Sequence, residues 1–245
     1  TWRNLKKHIH YDSQLPNAIP YRTSYYKKDW GFCVTKKQYQ LLSKSKNKYA
    51  INIDSKFSKG KLDYGELIIP GKSKKEILIS SYICHPSMAN DSLSGVLLSC
   101  FLAQHIRALS NRNWTYRFVF IPETIGAIAY CQKNKDKLKD IDFGFNITTV
   151  GGKGKLGIKK SWNDNHFINR YAEESLSDLN KNFITYPFDI HGSDERQYST
   201  RGFGINIVSI TKDKYYEYKE YHTSLDNLNF VNGRQIFETF EVYAK

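Results

Sequence analysis

The sequence predicts an α/β fold, a three-layer α/β/α sandwich around a mixed, largely parallel central sheet. Short apolar runs with strand character alternate along the chain with longer segments of helical period. The polar residues able to do chemistry cluster just past the ends of those strands, where open α/β sheets place their sites. At 245 residues the chain is long enough to bury one large core. Residues 1–60 read as a leading segment with a small inserted β region packed on the core, and 61–245 as the principal α/β domain.

The leading segment is rich in tyrosine and charge and is broken by Pro16 and Pro20. Residues 30–34 read as a short strand and 36–43 as a helix. Segments 49–53 and 62–69 alternate or run apolar like strands. Pro70-Gly71 signals a turn into the buried run 76–83 (EILISSYI), so a hairpin is expected to feed the sheet. Over 91–108, Val96, Leu97, Cys100, Phe101, Ala103 and Ile106 recur at helical spacing. Asp91 or Ser92 is the expected N-cap, and Cys100 is expected to be buried. A core strand over 116–121 (YRFVFI), a helix over 124–134 and a strand over 143–150 follow, the last ending at Gly151-Gly152. A helix over 162–179, a strand over 204–209 and a helix over 232–244 complete the order.

The net charge of +13 raises the question of nucleic acid. Yet the lysines are spread along the whole chain, with no helix-turn-helix or RNA-binding aromatic signature beside them. A solvated basic surface with a preference for acidic ligands is the better account, and nucleic acid is not an expected partner. No apolar run approaches the ~18–20 residues of a membrane span, so no membrane partner is expected either. The four cysteines, Cys33, Cys84, Cys100 and Cys131, form no Cys-x-x-Cys pair. Such usage suits a reducing cytoplasm better than a disulfide framework.

Four polar segments stand out: CHPSMANDSLSG (84–95), PETIG (122–126), HGSDERQY (191–198) and YHTSLDN (221–227). His85 at a strand end and Asp91 before the next helix offer a nitrogen and an oxygen donor from one loop. Zinc accepts such mixed ligands, and a catalytic site keeps one position open. His222 is the best third ligand, and Glu123 the best base for a water attacking a carbonyl. Taken singly, each histidine also reads as a core or surface residue, Asp91 as an N-cap and Glu123 as a helix-start carboxylate.

Over 62–134 and 191–230 the chain resembles the zinc aminopeptidases, a family that includes bacterial leucyl aminopeptidases and glutamate carboxypeptidases. Ile83-Cys84-His85 is similar to the family's strand ending in a metal-binding histidine. Asp91-Ser92-Leu93-Ser94-Gly95 resembles its bridging aspartate followed by Ser-Gly. Glu123-Thr124-Ile125-Gly126 is similar to its Glu-Glu-x-Gly, whose first glutamate is the general base. Ser193-Asp194-Glu195 resembles its Ser-Asp-His, and Tyr221-His222-Thr223 its closing Tyr-His-Thr. The chain also resembles an uncharacterised bacterial family with an aminopeptidase-like domain, found near surface-polysaccharide genes. That likeness rests on IPYRTSYYKKDWGFC, ICHPSMANDSLSG, PETIG, GSDERQY and EYHTSLDN.

The resemblance implies a zinc hydrolase of the aminopeptidase type, acting on a small peptide or an aminoacyl amide. The family's usual site holds two metals, but Thr124 and Thr148 stand where it has two carboxylate ligands. What remains implies one zinc per chain on His85, Asp91 and His222, with Glu123 catalytic. Pro86-Ser87 also lacks the aspartate that orients the first histidine from behind, a loss of ~10–100-fold in affinity unless another group replaces it. Asp194, Glu195, Arg196, Tyr221 and Asp226 are assigned to substrate binding or to support of the ligands. Two other readings stand beside this one: a zinc acyltransferase or deamidase of the same fold, and a catalytically retired module that binds an anionic ligand.

Overall fold

The computed structural model describes residues 1–24 and 27–245. Tyr25 and Tyr26, part of the expected leading segment, lie outside the described residues. A helical turn, α1 (Trp2–Leu5), precedes two short strands, β1 (Ile9–His10) and β2 (Phe32–Cys33), which pair in parallel. Helix α2 (Lys36–Lys44) is started by a capping box. The Thr35 hydroxyl accepts from the Gln38 N–H at 3.2 Å, and the Gln38 side chain accepts from the Thr35 N–H at 2.8 Å. Residues 45–64 carry no helix or strand, so the strand expected over 49–53 does not form. Its alternating isoleucines have no sheet edge to pair with, and Ile51 and Ile53 stay exposed.

The principal sheet and its helices follow in the order β3 (Gly65–Ile69), β4 (Glu76–Tyr82), α3 (Gly95–Ala108), β5 (Thr115–Ile121), α4 (Ile125–Lys133), α5 (Lys135–Leu138), β6 (Phe143–Asn146), β7 (Leu156–Lys159), α6 (Phe167–Asp178), β8 (Phe183–Tyr186), α7 (Glu195–Tyr198), β9 (Asn206–Thr211) and α8 (Gly233–Ala244). The strand order is β3-β5-β4-β6-β9-β7-β8. Strands β5, β4, β6 and β9 are mutually parallel, β3 runs antiparallel on β5, and β7 runs antiparallel on β9. The sheet is therefore mixed and largely parallel.

Alternate side chains of each strand enter separate cores, as the two-residue period requires. Ile77 and Ile79 pack with Leu98 and Leu102 of α3, Ala172 of α6 and Val242 of α8. Leu78 points the other way, to Ala127 and Tyr130 of α4, Leu138 of α5 and Tyr198 of α7. Helices thus cover both faces.

Several expectations are corrected. The hairpin does not form, because β5 inserts between β3 and β4. The buried guanidinium of Arg117 on β5 ties the three strands together. Its Nη1 donates to Glu66 on β3 at 2.6 Å, and its Nε donates to Glu76 on β4 at 2.5 Å. Helix α3 starts at Gly95 rather than at residue 91, and Asp91 and Ser92 lie before it with non-helical backbone. A Cβ on Gly95 would meet the Ile147 carbonyl oxygen at 2.3 Å, so only glycine lets the helix begin against the end of β6. Cys100 is exposed, because it lies on the face of α3 turned away from Leu98, Leu102 and Ile106. Strands β7 and β8 were not expected at all.

Replacing Arg117 with alanine is expected to lower unfolding free energy by about 3 kcal/mol in urea titrations, since two carboxylates lose their shared cation. No helix among the described residues is long and apolar enough to cross a membrane.

Candidate functional site

The parallel strands β4, β5, β6 and β9 end at one edge of the sheet, and the loops beyond them converge. His85 follows β4, Glu123 follows β5, Thr148 follows β6, and Asp91 sits in the turn before α3. His222 arrives from the loop between β9 and α8, held at φ 51° in the left-handed region. One donor atom from each of His85, Asp91 and His222 lies within 4.8 Å of the other two. Oδ2 of Asp91 and Nε2 of His222 approach to 3.0 Å, and among the described residues neither has a hydrogen-bond partner. Two unbonded donor atoms, both shielded from solvent and facing each other, fit a shared cation. Ligand atoms on a tetrahedral zinc with ~2.0–2.1 Å bonds sit roughly 3.3 Å apart.

The Asp91 loop is fixed from behind. Asp226 accepts the Asn90 N–H at 2.5 Å and the Asp91 N–H at 3.0 Å. Tyr82, fully buried at the end of β4, donates its hydroxyl to Oδ1 of Asp91. Thr148 in turn donates to the Tyr82 oxygen at 2.7 Å. Only Oδ2 of Asp91 is left to face the histidines. Burial holds the His85 imidazole below its ordinary value, which favours the neutral form a metal requires.

Glu123 is held at several points. Its N–H donates to Cys84 Sγ at 3.1 Å, and the Ser193 hydroxyl donates to its Oε1 at 2.6 Å. The free oxygen, Oε2, stands 3.8 Å from His85 Nε2. The next residue, Thr124, takes φ 60° and ψ −72°, a conformation that costs a β-branched residue ~1–3 kcal/mol. Asp194 Oδ1 accepts the Thr124 N–H at 2.7 Å and helps hold that turn. Burial, offset by the Ser193 bond and reinforced by Asp91, pushes the Glu123 carboxyl up to about 7.

Cys84, His85 and Glu123 form a second group of potential donors. Burial pushes the Cys84 thiol up to about 11, so it would have to give up a proton to ligate. Its sulfur instead stands 3.4 Å from His85 Nδ1.

The remaining sequence candidates fall into distinct places. Asp194 is fully buried, with Oδ2 lacking a hydrogen-bond partner among the described residues, and burial raises its carboxyl well above the usual range. Glu195 is buried behind the site, accepting from the Ser193 N–H at 3.0 Å and paired with Lys159 at 3.2 Å. Arg196 donates to the carbonyls of Ile190 and Ser193 rather than to a side-chain carboxylate. The Tyr221 ring stacks on His222 with centroids 3.9 Å apart. Sequence reasoning missed Tyr82, which reads as core in an apolar strand, and the placing of Cys84 and Ser193 against Glu123. A cleft of about 500 Å³ between α3 and α8, lined by Leu97, Phe101, Phe237 and Phe240, is almost wholly apolar and lies apart from this chemistry.

The sheet order and the two helical layers define an α/β sandwich, with the candidate site beyond its parallel strand ends. The chain belongs to the family described as "Domain of unknown function (DUF4910)", which matches residues 9–245. It is 38% identical over its full length to a Clostridium acetobutylicum protein named "Putative polysaccharide biosynthesis protein with aminopeptidase-like domain", and spans 56% of that relative. A crystal structure of a "putative peptidase" from Clostridium acetobutylicum superposes with a TM-score of 0.94 at 37% identity, covering 100% of this chain and 57% of that one. A zinc aminopeptidase from Bacillus subtilis, BSAP, gives a TM-score of 0.63 at 14% identity over 73% of this chain and 48% of its own. The glutaminyl cyclase of Porphyromonas gingivalis gives 0.63 at 13% identity over 75% of this chain and 76% of its own. The last two share the fold.

Proposed function

We propose that this chain is a zinc-dependent hydrolase of the aminopeptidase type that cleaves a peptide or amide bond, with His85, Asp91 and His222 holding one zinc. The observation that carries the reading is the approach of Asp91 Oδ2 and His222 Nε2 without a hydrogen bond, beside His85 and a raised Glu123. The chemistry a bound zinc supplies is polarisation of the scissile carbonyl. Glu123 takes a proton from the attacking water at Oε2 and returns it to the leaving nitrogen. Ser193 holds Oε1 and so keeps Oε2 facing the site. The names of the Clostridium relative and the Bacillus enzyme support the reading. Tyr82 favours a single ion, because its hydroxyl occupies one of the acceptor positions on Oδ1 that Asp91 would otherwise offer a second cation.

The substrate is a small peptide or an aminoacyl amide. Titrating the metal-free protein with zinc is expected to end at one ion per chain, and the loaded protein to release ammonia from aminoacyl amides. Two tightly bound ions would overturn the stoichiometry. A folded protein that takes no zinc at neutral pH would overturn the hydrolase reading, and cyclisation of glutaminyl peptides in place of hydrolysis would reassign the reaction.

A further inference from the structure

Each of the three proposed ligands is held differently. Asp91 is fixed by Tyr82 and Asp226. His222 is fixed through its backbone, because residues 18–21 of the leading segment are laid against its loop. The Tyr21 N–H donates to the His222 carbonyl at 2.7 Å, and Pro20 forms an antiparallel bridge with Thr223. The Ser224 N–H donates to the Ile19 carbonyl at 2.8 Å, and the Ile19 N–H to the Ser224 hydroxyl at 3.0 Å. For the His85 ring, the hydrogen-bond partner among the described residues is a sulfur, Sγ of Cys84, 3.4 Å from Nδ1. Strand register puts it there. Tyr82 and Ile121 are the last paired residues of β4 and β5, and the Ile83 N–H continues the ladder to the Ile121 carbonyl at 2.9 Å. Cys84 and Glu123, each two residues further on, therefore lie level, and Sγ accepts the Glu123 N–H at 3.1 Å. Across the imidazole from that sulfur, Nε2 stands 3.8 Å from Glu123 Oε2.

We propose that Cys84 is a positioning residue of this site: its sulfur accepts from His85 Nδ1–H and from the Glu123 N–H at once, which leaves His85 Nε2 unprotonated toward the ion. The inference rests on the zinc-hydrolase reading. A neutral imidazole carries one proton, on Nδ1 or on Nε2, and the partner of one nitrogen decides the state of the other. A thiol that gave its own hydrogen to Nδ1 would leave the ring proton on Nε2, closed to a cation. Thiols are weak donors, whereas the ring N–H and the backbone N–H are both good ones, so the sulfur serves as acceptor on both sides. Cys84 then touches neither ion nor substrate and acts through its two neighbours. One atom sets the tautomer of a ligand and anchors the backbone of the base, so the spacing of Nε2 and Oε2 is fixed from behind.

The test needs no turnover. Long-range proton–nitrogen NMR on histidine-labelled, metal-free protein at neutral pH reads the tautomer of His85, assigned by its absence in His85→Asn. Wild type, Cys84→Ser and Cys84→Ala are compared, with zinc affinity measured against a chromophoric chelator. Wild type is expected to hold the proton on Nδ1. Cys84→Ala is expected to shift it toward Nε2 and weaken zinc about 10–100-fold, while Cys84→Ser, which keeps an acceptor, retains the tautomer and stays within about 5-fold. A wild-type proton on Nε2, or a Cys84→Ala variant with the parental tautomer, overturns the inference. So does a Cys84→Ser variant as weak as Cys84→Ala, which would assign the sulfur to packing. A thiolate-to-cobalt charge-transfer band in the cobalt-loaded wild type, lost in Cys84→Ala, would make the sulfur a ligand and overturn it as well. All of these leave the hydrolase reading standing. A wild type that takes no zinc overturns that reading and this inference with it, and the wild-type titration alone identifies that outcome.

Discussion

Glu123→Gln is expected to keep zinc within a few-fold and to lower kcat by about 10²–10⁴-fold, the range for removing a positioned general base. Glutamine keeps an acceptor for the Ser193 hydroxyl at Oε1, so geometry is preserved while the proton site is lost. Hydrolysis at the parental rate would remove Glu123 from the mechanism. The same variant has a stability signature in the metal-free protein. The folded-state value of about 7 lies above the ordinary carboxylate value of 4.5, so between them the native state holds more protons than the unfolded chain. Stability from the neutral carboxyl is full below about 4.5 and lost as pH rises through about 7. Urea unfolding at pH 5 and pH 8 is expected to show this loss in the parent and a smaller one in Glu123→Gln.

Asp91→Asn is expected to weaken zinc binding by more than ~100-fold, beyond the ~10–100-fold typical of groups that only orient a ligand. The replacement keeps the volume and a hydrogen-bond partner for Tyr82 but removes the charge from the pair with His222. Asp226→Asn should fall within the smaller range, because it loosens the Asn90 and Asp91 N–H contacts without touching a donor atom. Competition against a chromophoric chelator measures both. Equal zinc affinity in Asp91→Asn and the parent would disprove the assigned ligand set, and a larger loss at Asp226 than at Asp91 would invert the assigned roles.

The central strands were legible because their apolar runs are long and their turns carry clear signals. Strands β7 and β8 were not, because LGIK and FITY span only four residues each. Lys159 also reads as a surface residue, whereas it is buried by ion pairs with Asp189 at 3.0 Å and Glu195 at 3.2 Å. The apparent hairpin failed for a different reason. Turn chemistry at Pro70-Gly71 shows that the chain reverses, but not that a third strand bearing Arg117 enters between the arms. At the site, the histidines and carboxylates that the structure gathers stand out by type and motif order. Tyr82 and the segment 18–21 beside the His222 loop do not, since an apolar strand hides the first and a polar, proline-broken stretch the second. What each does depends on partners far away in the chain, and local pattern carries no trace of them.

The bond between Ile19 and Ser224 joins residues 205 positions apart. Bringing such distant points together is slow relative to forming local contacts, because chain entropy must be given up before the contact returns anything. A nascent polypeptide that has not yet produced residue 222 lacks one proposed ligand and the backbone on which residues 18–21 rest. Capture of the proposed ion would therefore wait until residue 222 has been made and its loop has packed against residues 18–21, so that zinc uptake would report the joining of these two distant segments.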